Sequence, residues 1–319
     1  MKKTTLYITP PGAVNKKDLL FEEMVSLCPD SNDYSGVLYL GPNSHVIAAA
    51  KNRFFSYIRK HGERSAYIPF RSMTIKQLAL GLHEAYGEGS VISDRVRVLI
   101  FCGLLRDKNI GYAKLLAGLF KRTRHYAPDR SLPDLREEIR GLIFEEKARD
   151  RAVRAMELLQ EYEDELRRKN LVDPDDLLKR SIELLHGPGS GSRQSNLIID
   201  GFFDPSPLEL RIMDALAERA ATTSVLAEED TEMDRYFQAK EEGISIKRPD
   251  RTLQRKAAAF YSYPSIEDEV EGIAKGIRRL MFEGTRPWDI TVCFPVLSKY
   301  LPMAQRVFGK YGLPLSIAE

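Results

Sequence analysis

The chain has 319 residues, of which 43% are hydrophobic and 29% are charged, and its formal net charge at pH 7 is +2. This length allows two or three domains with hydrophobic cores, and no run approaches the roughly 18 apolar residues that a membrane helix needs. The first residues lack the apolar segment of a signal peptide, so we expect a cytoplasmic protein. The three cysteines are far apart, which excludes the usual zinc spacings, and we expect no metal site.

Positive charge is concentrated in one part of the sequence. Residues 51–130 contain sixteen Lys or Arg and six Asp or Glu, whereas the rest of the chain is acidic. Such a surplus is typical of a surface that faces a polyanion, although clustered cations can also form a plain solvated face.

The N-terminal segment has the layout of a phosphate-binding loop, with a short strand at residues 6–8, a loop that contains glycine, and a helix from about Leu19. A working loop reads G-x-x-x-x-G-K-[ST], because backbone amides cradle the phosphates and the lysine meets the β and γ oxygens. Either Lys17 or Lys16 can take the lysine position of this motif, with Gly12 inside the loop. In both registers a proline replaces the first glycine, the second glycine is replaced and the hydroxyl is missing. We therefore predict a degenerate nucleotide site that does not bind ATP in the usual way.

Two strand-then-helix pairs are predicted between residues 37 and 86. From residue 93 to about residue 185, apolar residues recur at spacings of three and four, which predicts an almost wholly helical insertion between the strands of one sheet. The helices predicted in it are 96–105, 113–126, 132–168 with a break near Gly141, and 174–185.

A short β-branched run at residues 197–199 ends in Asp200 and predicts a buried parallel strand. An acid at the carboxyl end of such a strand is where nucleotide-hydrolysing folds hold Mg²⁺, although a local turn cap is the plainer interpretation. Ser206, Pro207 and Glu209 then predict a helix that begins with a capping box.

The remaining chain is predicted to contain strands at residues 222–227, 260–263 and 290–294 and helices that end near residues 219, 283 and 311. Residues 231–256 are charged, and we predict that they are irregular and cross between domains.

Residues 199–209, Ile-Asp-Gly-Phe followed by Phe-Asp-Pro-Ser-Pro-Leu-Glu, resemble the degenerate second nucleotide motif of AddB-type proteins. These are inactivated superfamily I helicase subunits of bacterial helicase–nucleases. Further similarities follow in the family's order: a helical tyrosine before Asp-x-x-Asp-Leu-Leu at 162–178, an acidic helix start at 267–270, Asp-Ile-x-Val at 289–292 and Tyr-Gly-Leu-Pro at 311–314.

The resemblance implies an α/β fold, a RecA-like (P-loop NTPase-type) parallel sheet with a large helical insertion and the beginning of a second RecA-like domain. The implied boundaries are residues 1–85 with 190–235 for the first RecA-like domain, 86–189 for the helical insertion and 255–319 for the start of the second domain. By this comparison the chain is an N-terminal fragment of a longer subunit.

The resemblance also implies a non-hydrolysing DNA-binding module of an ATP-dependent helicase–exonuclease that processes double-strand breaks for recombinational repair. Gly201 stands where an active motor has the glutamate that positions water, and residues 228–230 offer no glutamine to sense the γ-phosphate. Two alternatives stay open, an active superfamily I helicase with an aberrant phosphate loop and a protein-interaction scaffold.

Asn43, Ser44 and His45 correspond to a loop that touches single-stranded DNA in superfamily I motors, although Asn43 or Ser44 could equally cap the next helix. The basic helix at residues 113–126 is the best candidate for phosphate contacts, with Tyr126 able to stack on a base. Its predicted contact residues are Lys114, Lys121, Arg122, Arg124 and Tyr126, and the alternative is a solvated helix end.

The partners implied are single-stranded DNA, duplex DNA ends and an active helicase–nuclease motor subunit in a hetero-oligomer. The degenerate nucleotide site, which comprises Gly12, Lys16, Lys17 and Asp200, implies that ATP and Mg²⁺ binding is lost. In the family an iron–sulfur cluster and a nuclease metal belong to a C-terminal region, so we expect neither within these residues.

Overall fold

A computed structural model of the chain describes residues 3–11, 13, 16–28, 32–61, 66–187, 196–240, 243–249 and 259–317. The chain divides into two compact units, residues 1–254 and residues 255–319. Within the described ranges every helix is too short or too polar to cross a lipid bilayer. The same ranges contain no group of three or more His, Cys, Asp or Glu side chains placed to hold a metal ion.

The secondary structure is as follows. The strands are β1 (Lys3–Thr9), β2 (Val37–Leu40), β3 (Arg71–Met73), β4 (Ser90–Val91), β5 (Leu171–Val172), β6 (Asn196–Asp200), β7 (Thr222–Glu228) and β8 (Ile244–Lys247). The α-helices are α1 (Asp18–Ser26), α2 (Ser44–His61), α3 (Ile75–Tyr86), α4 (Asp94–Leu104), α5 (Ile110–Tyr126), α6 (Leu132–Leu142), α7 (Glu146–Arg168), α8 (Pro174–His186), α9 (Pro207–Arg219), α10 (Glu232–Gln238), α11 (Ile266–Phe282) and α12 (Leu297–Lys310).

The first unit is built on a six-stranded sheet with the order β3-β2-β6-β7-β1-β8. Every strand pair in it is parallel, so the α/β prediction with a parallel sheet is confirmed. In parallel sheets the carboxyl ends of the strands meet at one edge, where ligand sites form. The ends of β1, β2, β6 and β7 therefore bring their following loops together.

Successive side chains of the central strands point to opposite faces of the sheet and belong to two separate hydrophobic layers. Tyr7, Tyr39 and Ile198 pack with α1 and α2 on one face of the sheet. The residues next to them in sequence, such as Leu6 and Leu38, pack with α3, α8 and α9 on the other face. This alternation follows from the two-residue repeat of a strand, and because helices cover both faces, the central strands are almost wholly buried.

Helices α4 to α7 enclose a core of their own. Phe101 and Tyr162 stack at its centre with ring centroids 4.2 Å apart, and Phe120 meets Tyr162 edge-on at 5.0 Å. In contrast, α8 packs on the sheet layer through Leu177 and Leu185. The predicted helices of this region are confirmed. The predicted break near Gly141 corresponds to residues 143–145, which connect α6 to α7.

The structure corrects the prediction for residues 231–256 and adds a pair of short strands that the sequence does not predict. The sequence predicts an irregular crossing, but α10 forms there and β8 adds a parallel edge strand beside β1. A Thr231 side chain that accepts from the backbone of Asp234 begins α10. The two-residue pair β4–β5 has no counterpart among the predicted strands, because segments of that length carry no periodic signal.

The second unit packs α11 against α12 through Val270, Ala274, Val307 and Phe308. The strands predicted at residues 260–263 and 290–294 are not formed, since no strand occurs within residues 259–317. A strand needs a neighbour to satisfy its backbone hydrogen-bonding groups, and within these residues neither segment has one. The predicted helices are confirmed.

Candidate functional site

The lysines of the loop after β1 are engaged by acids at the ends of the two central strands. Lys17 Nζ lies 2.6 Å from Asp200 Oδ2 at the end of β6, and Lys16 pairs with Glu228 at the end of β7. Two positive and two negative charges therefore neutralise one another inside the predicted nucleotide site. Gly12, the remaining residue of that prediction, lies outside the described residues.

Asp200 is the centre of this cluster, because its carboxylate receives two partners while only 2% of the residue is exposed. The buried Tyr39 hydroxyl donates a hydrogen bond to the same oxygen that Lys17 contacts. Burial, and then the negative charge of Asp200, raise the pKa of Tyr39 far above its ordinary value. Tyr39 therefore remains a neutral donor, and the buried carboxylate is paired and hydrogen-bonded, as a buried charge must be.

Gly201 follows Asp200 with φ at +85°, in the left-handed region that favours glycine. A Cβ at this position would lie 2.9 Å from Cγ1 of Val46 and 3.3 Å from Cδ of Pro42. A glutamate here would therefore meet backbone strain as well as Val46 in the first turn of α2 and Pro42 in the loop before it. Both effects disfavour a glutamate at position 201, which is the residue that the resemblance implies for an active motor.

The loop after β7 is tied to the loop after β1. The Glu229 amide donates to the Thr9 carbonyl at 3.0 Å, and Glu228 is the partner of Lys16. The residues that replace the expected glutamine therefore hold two neighbouring loops together.

The three predicted DNA contacts between β2 and α2 are Asn43 in the loop and Ser44 and His45 in the first turn of α2. Asn43 Oδ1 accepts the Val46 amide at 2.9 Å, so Asn43 caps α2, which is one of the two predicted alternatives. Ser44 and His45 are exposed to solvent at the carboxyl edge of the sheet. Their contact with DNA stays a prediction.

Helix α5 carries cations that no acid of the described ranges neutralises. Lys114, Lys121 and Arg122 are exposed, and none has an ion pair within that part of the chain. Lys114 and Lys121 are seven residues apart and therefore share one side of the helix. Tyr126 ends the helix with 63% of its surface exposed.

Arg124 does not belong with these cations, which corrects its prediction as a DNA contact. It is 8% exposed and pairs with Glu163 and, at 2.7 Å, with Asp176. Its guanidinium also lies 4.7 Å from the ring centre of Phe120. Because its charge and planar face are already used inside the protein, Arg124 connects α5 to α7 and α8.

A buried polar network lies next to Arg124, and its pairing of Arg97 and His125 with acids at the start of α8 is indicated by no sequence pattern. Asp173 caps α8 and receives both a bidentate hydrogen bond from Arg97 and the Tyr162 hydroxyl at 2.6 Å. Asp175 lies 2.7 Å from the same guanidinium, and His125 Nε2 is 3.1 Å from the other Asp175 oxygen. Burial would raise the pKa of Asp175, but the His125 hydrogen bond and the Arg97 charge hold it below its usual range.

The positive charge of residues 51–130 is divided between the two sides of the sheet. Helix α2 packs on one face, whereas α5 contacts α8 and α9 on the other. Among the described residues, the cations of α2 and those of α5 therefore lie on opposite faces of the sheet.

Comparison with known proteins agrees with the motifs. Residues 107–240 match the family model of the UvrD/REP helicase N-terminal domain. The chain is also 25% identical to the AddB-type ATP-dependent helicase/deoxyribonuclease subunit of Carboxydothermus hydrogenoformans over an alignment of 243 residues, which covers 66% of this chain and 22% of that protein. The chain thus spans about a fifth of the length of this curated relative. These matches confirm the resemblance: the chain contains a region similar to the UvrD/REP helicase N-terminal domain and is a distant homologue of an AddB-type subunit.

Proposed function

We propose that this chain is a non-hydrolysing, helicase-like DNA-binding module of an ATP-dependent helicase–nuclease that processes double-strand DNA breaks for recombinational repair. The observation that carries the proposal is a contrast between two groups of cations. The loop lysines are paired with Asp200 and Glu228, whereas the exposed cations of α5 have no ion pair within the described residues.

The loop lysines are poorly placed to serve a nucleotide. A triphosphate would have to separate Lys17 from Asp200 and Lys16 from Glu228, and removing one partner of a buried pair leaves an uncompensated charge. Gly201 cannot simply be replaced by a water-positioning glutamate, because Val46 and Pro42 occupy that space. These features support the loss of ATP hydrolysis.

The exposed face of α5 is suited to a phosphate backbone. Lys114 and Lys121 lie about 10 Å apart along the helix, and Arg122 lies beside them. Lysine and arginine contacts to phosphates release counterions, so binding through this face would depend steeply on salt and little on sequence.

We extend the proposal to the architecture and the partner. Residues 1–85 and 190–235 would form the first RecA-like domain, residues 86–189 its helical insertion and residues 255–319 the start of a second RecA-like domain. The relative is a subunit of a helicase/deoxyribonuclease, which supports assembly of this chain with an active helicase–nuclease motor subunit that supplies ATP hydrolysis.

The test is fluorescence anisotropy of labelled single-stranded and duplex DNA across a salt series, with and without ATP and Mg²⁺. We expect binding that weakens steeply with salt and is unchanged by ATP. Tight Mg²⁺-dependent ATP binding that Asp200→Ala abolishes would contradict the proposal and favour an active motor. An absence of DNA binding at low salt would favour a scaffold for an acidic protein.

A further inference from the structure

Two neighbouring aromatic residues in the loop between β6 and α9 have opposite environments. Phe202 is 7% exposed and packs in the sheet layer, whereas Phe203 is 55% exposed. Exposing a large apolar side chain forgoes the free energy that its burial would contribute. Phe202 anchors the loop, and this anchoring leaves Phe203 directed toward solvent.

The end of this loop is fixed as well. Ser206 and Glu209 form the capping box that begins α9, with the Ser206 amide donating to Glu209 at 2.8 Å. His125 Nδ1 lies 2.9 Å from Ser206 Oγ, and its other nitrogen contacts the buried Asp175. The last turn of α5 is therefore held against the loop that carries Phe203.

This hydrogen bond brings a second exposed ring to the same place. Tyr126 follows His125 directly in sequence, and Phe203 precedes Ser206 by three residues, which limits its Cα to about 10 Å from that of Ser206. Phe203 and Tyr126 therefore lie on the two chain segments that the His125–Ser206 contact joins. Both rings belong to elements that are fixed by buried partners.

Unpaired cations lie on the segment that carries Tyr126, since the exposed Lys121 and Arg122 occupy the final turns of α5 before it. Lys16 Nζ lies 5.7 Å from the ring centre of Phe203, but its charge is paired with Glu228. Aromatic platforms beside cations that track a phosphate backbone are the combination that binds unpaired strands. Duplex DNA offers the same phosphates but keeps its bases stacked on one another.

We propose that Phe203 and Tyr126 are base-stacking residues that make this surface prefer single-stranded over duplex DNA. The inference rests on the proposed DNA-binding function and adds to it the residues that distinguish the two forms of DNA. Phosphate contacts through α5 serve both forms, whereas ring stacking serves only the unpaired strand. The alternative is that the two rings bind an apolar surface of a protein partner, in which case their removal would not affect binding of DNA bases.

The experiment compares Phe203→Ala with wild type on three labelled probes of equal charge: a single strand, a duplex and an abasic single strand. Stacking on one base contributes about 1–3 kcal/mol, so we expect a loss of affinity for the single strand of roughly 5- to 150-fold. Affinities for the duplex and the abasic strand should change less than about twofold. Tyr126→Ala should act in the same direction, and Phe203→Trp should retain the preference.

The matched control is Phe144→Ala, since Phe144 is a 93% exposed phenylalanine in the connection between α6 and α7. It should leave all three affinities unchanged. Equal losses on single-stranded and abasic probes, or no loss on either, would overturn the stacking assignment while leaving the DNA-binding proposal intact. If the wild-type chain binds none of the probes at low salt, the proposed function itself fails.

Discussion

Two groups of cations in the first unit show how differently similar residues can be used. Lys16 and Lys17 lie among strand ends and are paired with Glu228 and Asp200. Lys121 and Arg122 lie on the outer side of α5 and have no ion pair within the described residues. The comparison teaches that the charge a protein offers to a polyanion is set by what surrounds each cation and not by how many cations the sequence contains.

The difference follows from the architecture. Neighbouring parallel strands end at one edge, so the acids at the ends of β6 and β7 meet the loop after β1. The outer side of α5 faces solvent, while its inner side packs on α4, α7, α8 and α9. Arg124 points inward from the same helix and is paired with Glu163 and Asp176. Helix α5 therefore carries both paired, buried and unpaired, exposed cations among the described residues.

The largest effect is expected when the inward cation of α5 is removed. Arg124→Ala should lower the free energy of unfolding by about 3–5 kcal/mol, because Glu163 and Asp176 lose a partner in a shielded site. Arg122→Ala should change it by no more than about 0.5 kcal/mol. Urea unfolding measures both variants, and equal effects would erase the distinction between the two sides of α5.

The next largest effect concerns DNA. Lys121→Glu combined with Arg122→Glu should weaken DNA binding by roughly 10- to 100-fold at low salt, since two phosphate contacts become repulsions. The matched control is Arg59→Glu combined with Lys60→Glu at the end of α2, on the other face of the sheet. A greater loss in the control than in the α5 variant, measured by anisotropy, would place the DNA surface on α2.

A smaller effect is expected within the paired cluster. Asp200→Asn should lower the free energy of unfolding by about 1–3 kcal/mol, because Lys17 loses its charged partner and the Tyr39 hydroxyl loses a charged acceptor. DNA affinity should be unchanged, since this cluster is neutral and internal. Thermal unfolding and anisotropy on the same preparation separate the two outcomes. A loss of DNA affinity at constant stability would contradict the structural role.

The smallest effect concerns acid pH and the attachment of α5. Because the folded-state pKa of Asp175 is below its usual value, its contribution to stability is present above the unfolded pKa of about 3.9. That contribution is lost as the pH falls through the lower folded value. Asp175→Asn should therefore make the free energy of unfolding less dependent on pH below about pH 4, as acid titrations of both proteins would show. An unchanged pH dependence would exclude this role.

Local patterns allow much of the fold to be predicted from the sequence. The strand that ends at Asp200 and the Ser206 capping box are encoded within a few residues, so both predictions are confirmed. Helices α4 to α8 follow from apolar spacing. The burial of Arg124 is not predictable in this way, because its partners Glu163 and Asp176 lie on helices that are distant in sequence.

The same limit applies to the candidate site. The contact between His125 and Ser206 joins residues 81 positions apart, and no local pattern indicates it. The exposure of Phe203 beside the buried Phe202 also depends on tertiary packing, because the hydrophobic layer on the sheet contains only one of the two rings. The segments at 260–263 and 290–294 have a suitable composition, but strand formation depends on a pairing partner as well as on composition.

The central claim is most directly tested by the salt dependence of DNA binding in two double variants. In Lys121→Ala with Arg122→Ala, loss of two phosphate contacts should reduce the slope of log Kobs against log salt by roughly 1.4 for single strands and 1.8 for duplex DNA. In Lys16→Gln with Lys17→Gln, the slope should equal that of the wild type, because those lysines are neutralised inside the protein. A reduced slope in the loop variant and an unchanged slope in the α5 variant would contradict the account.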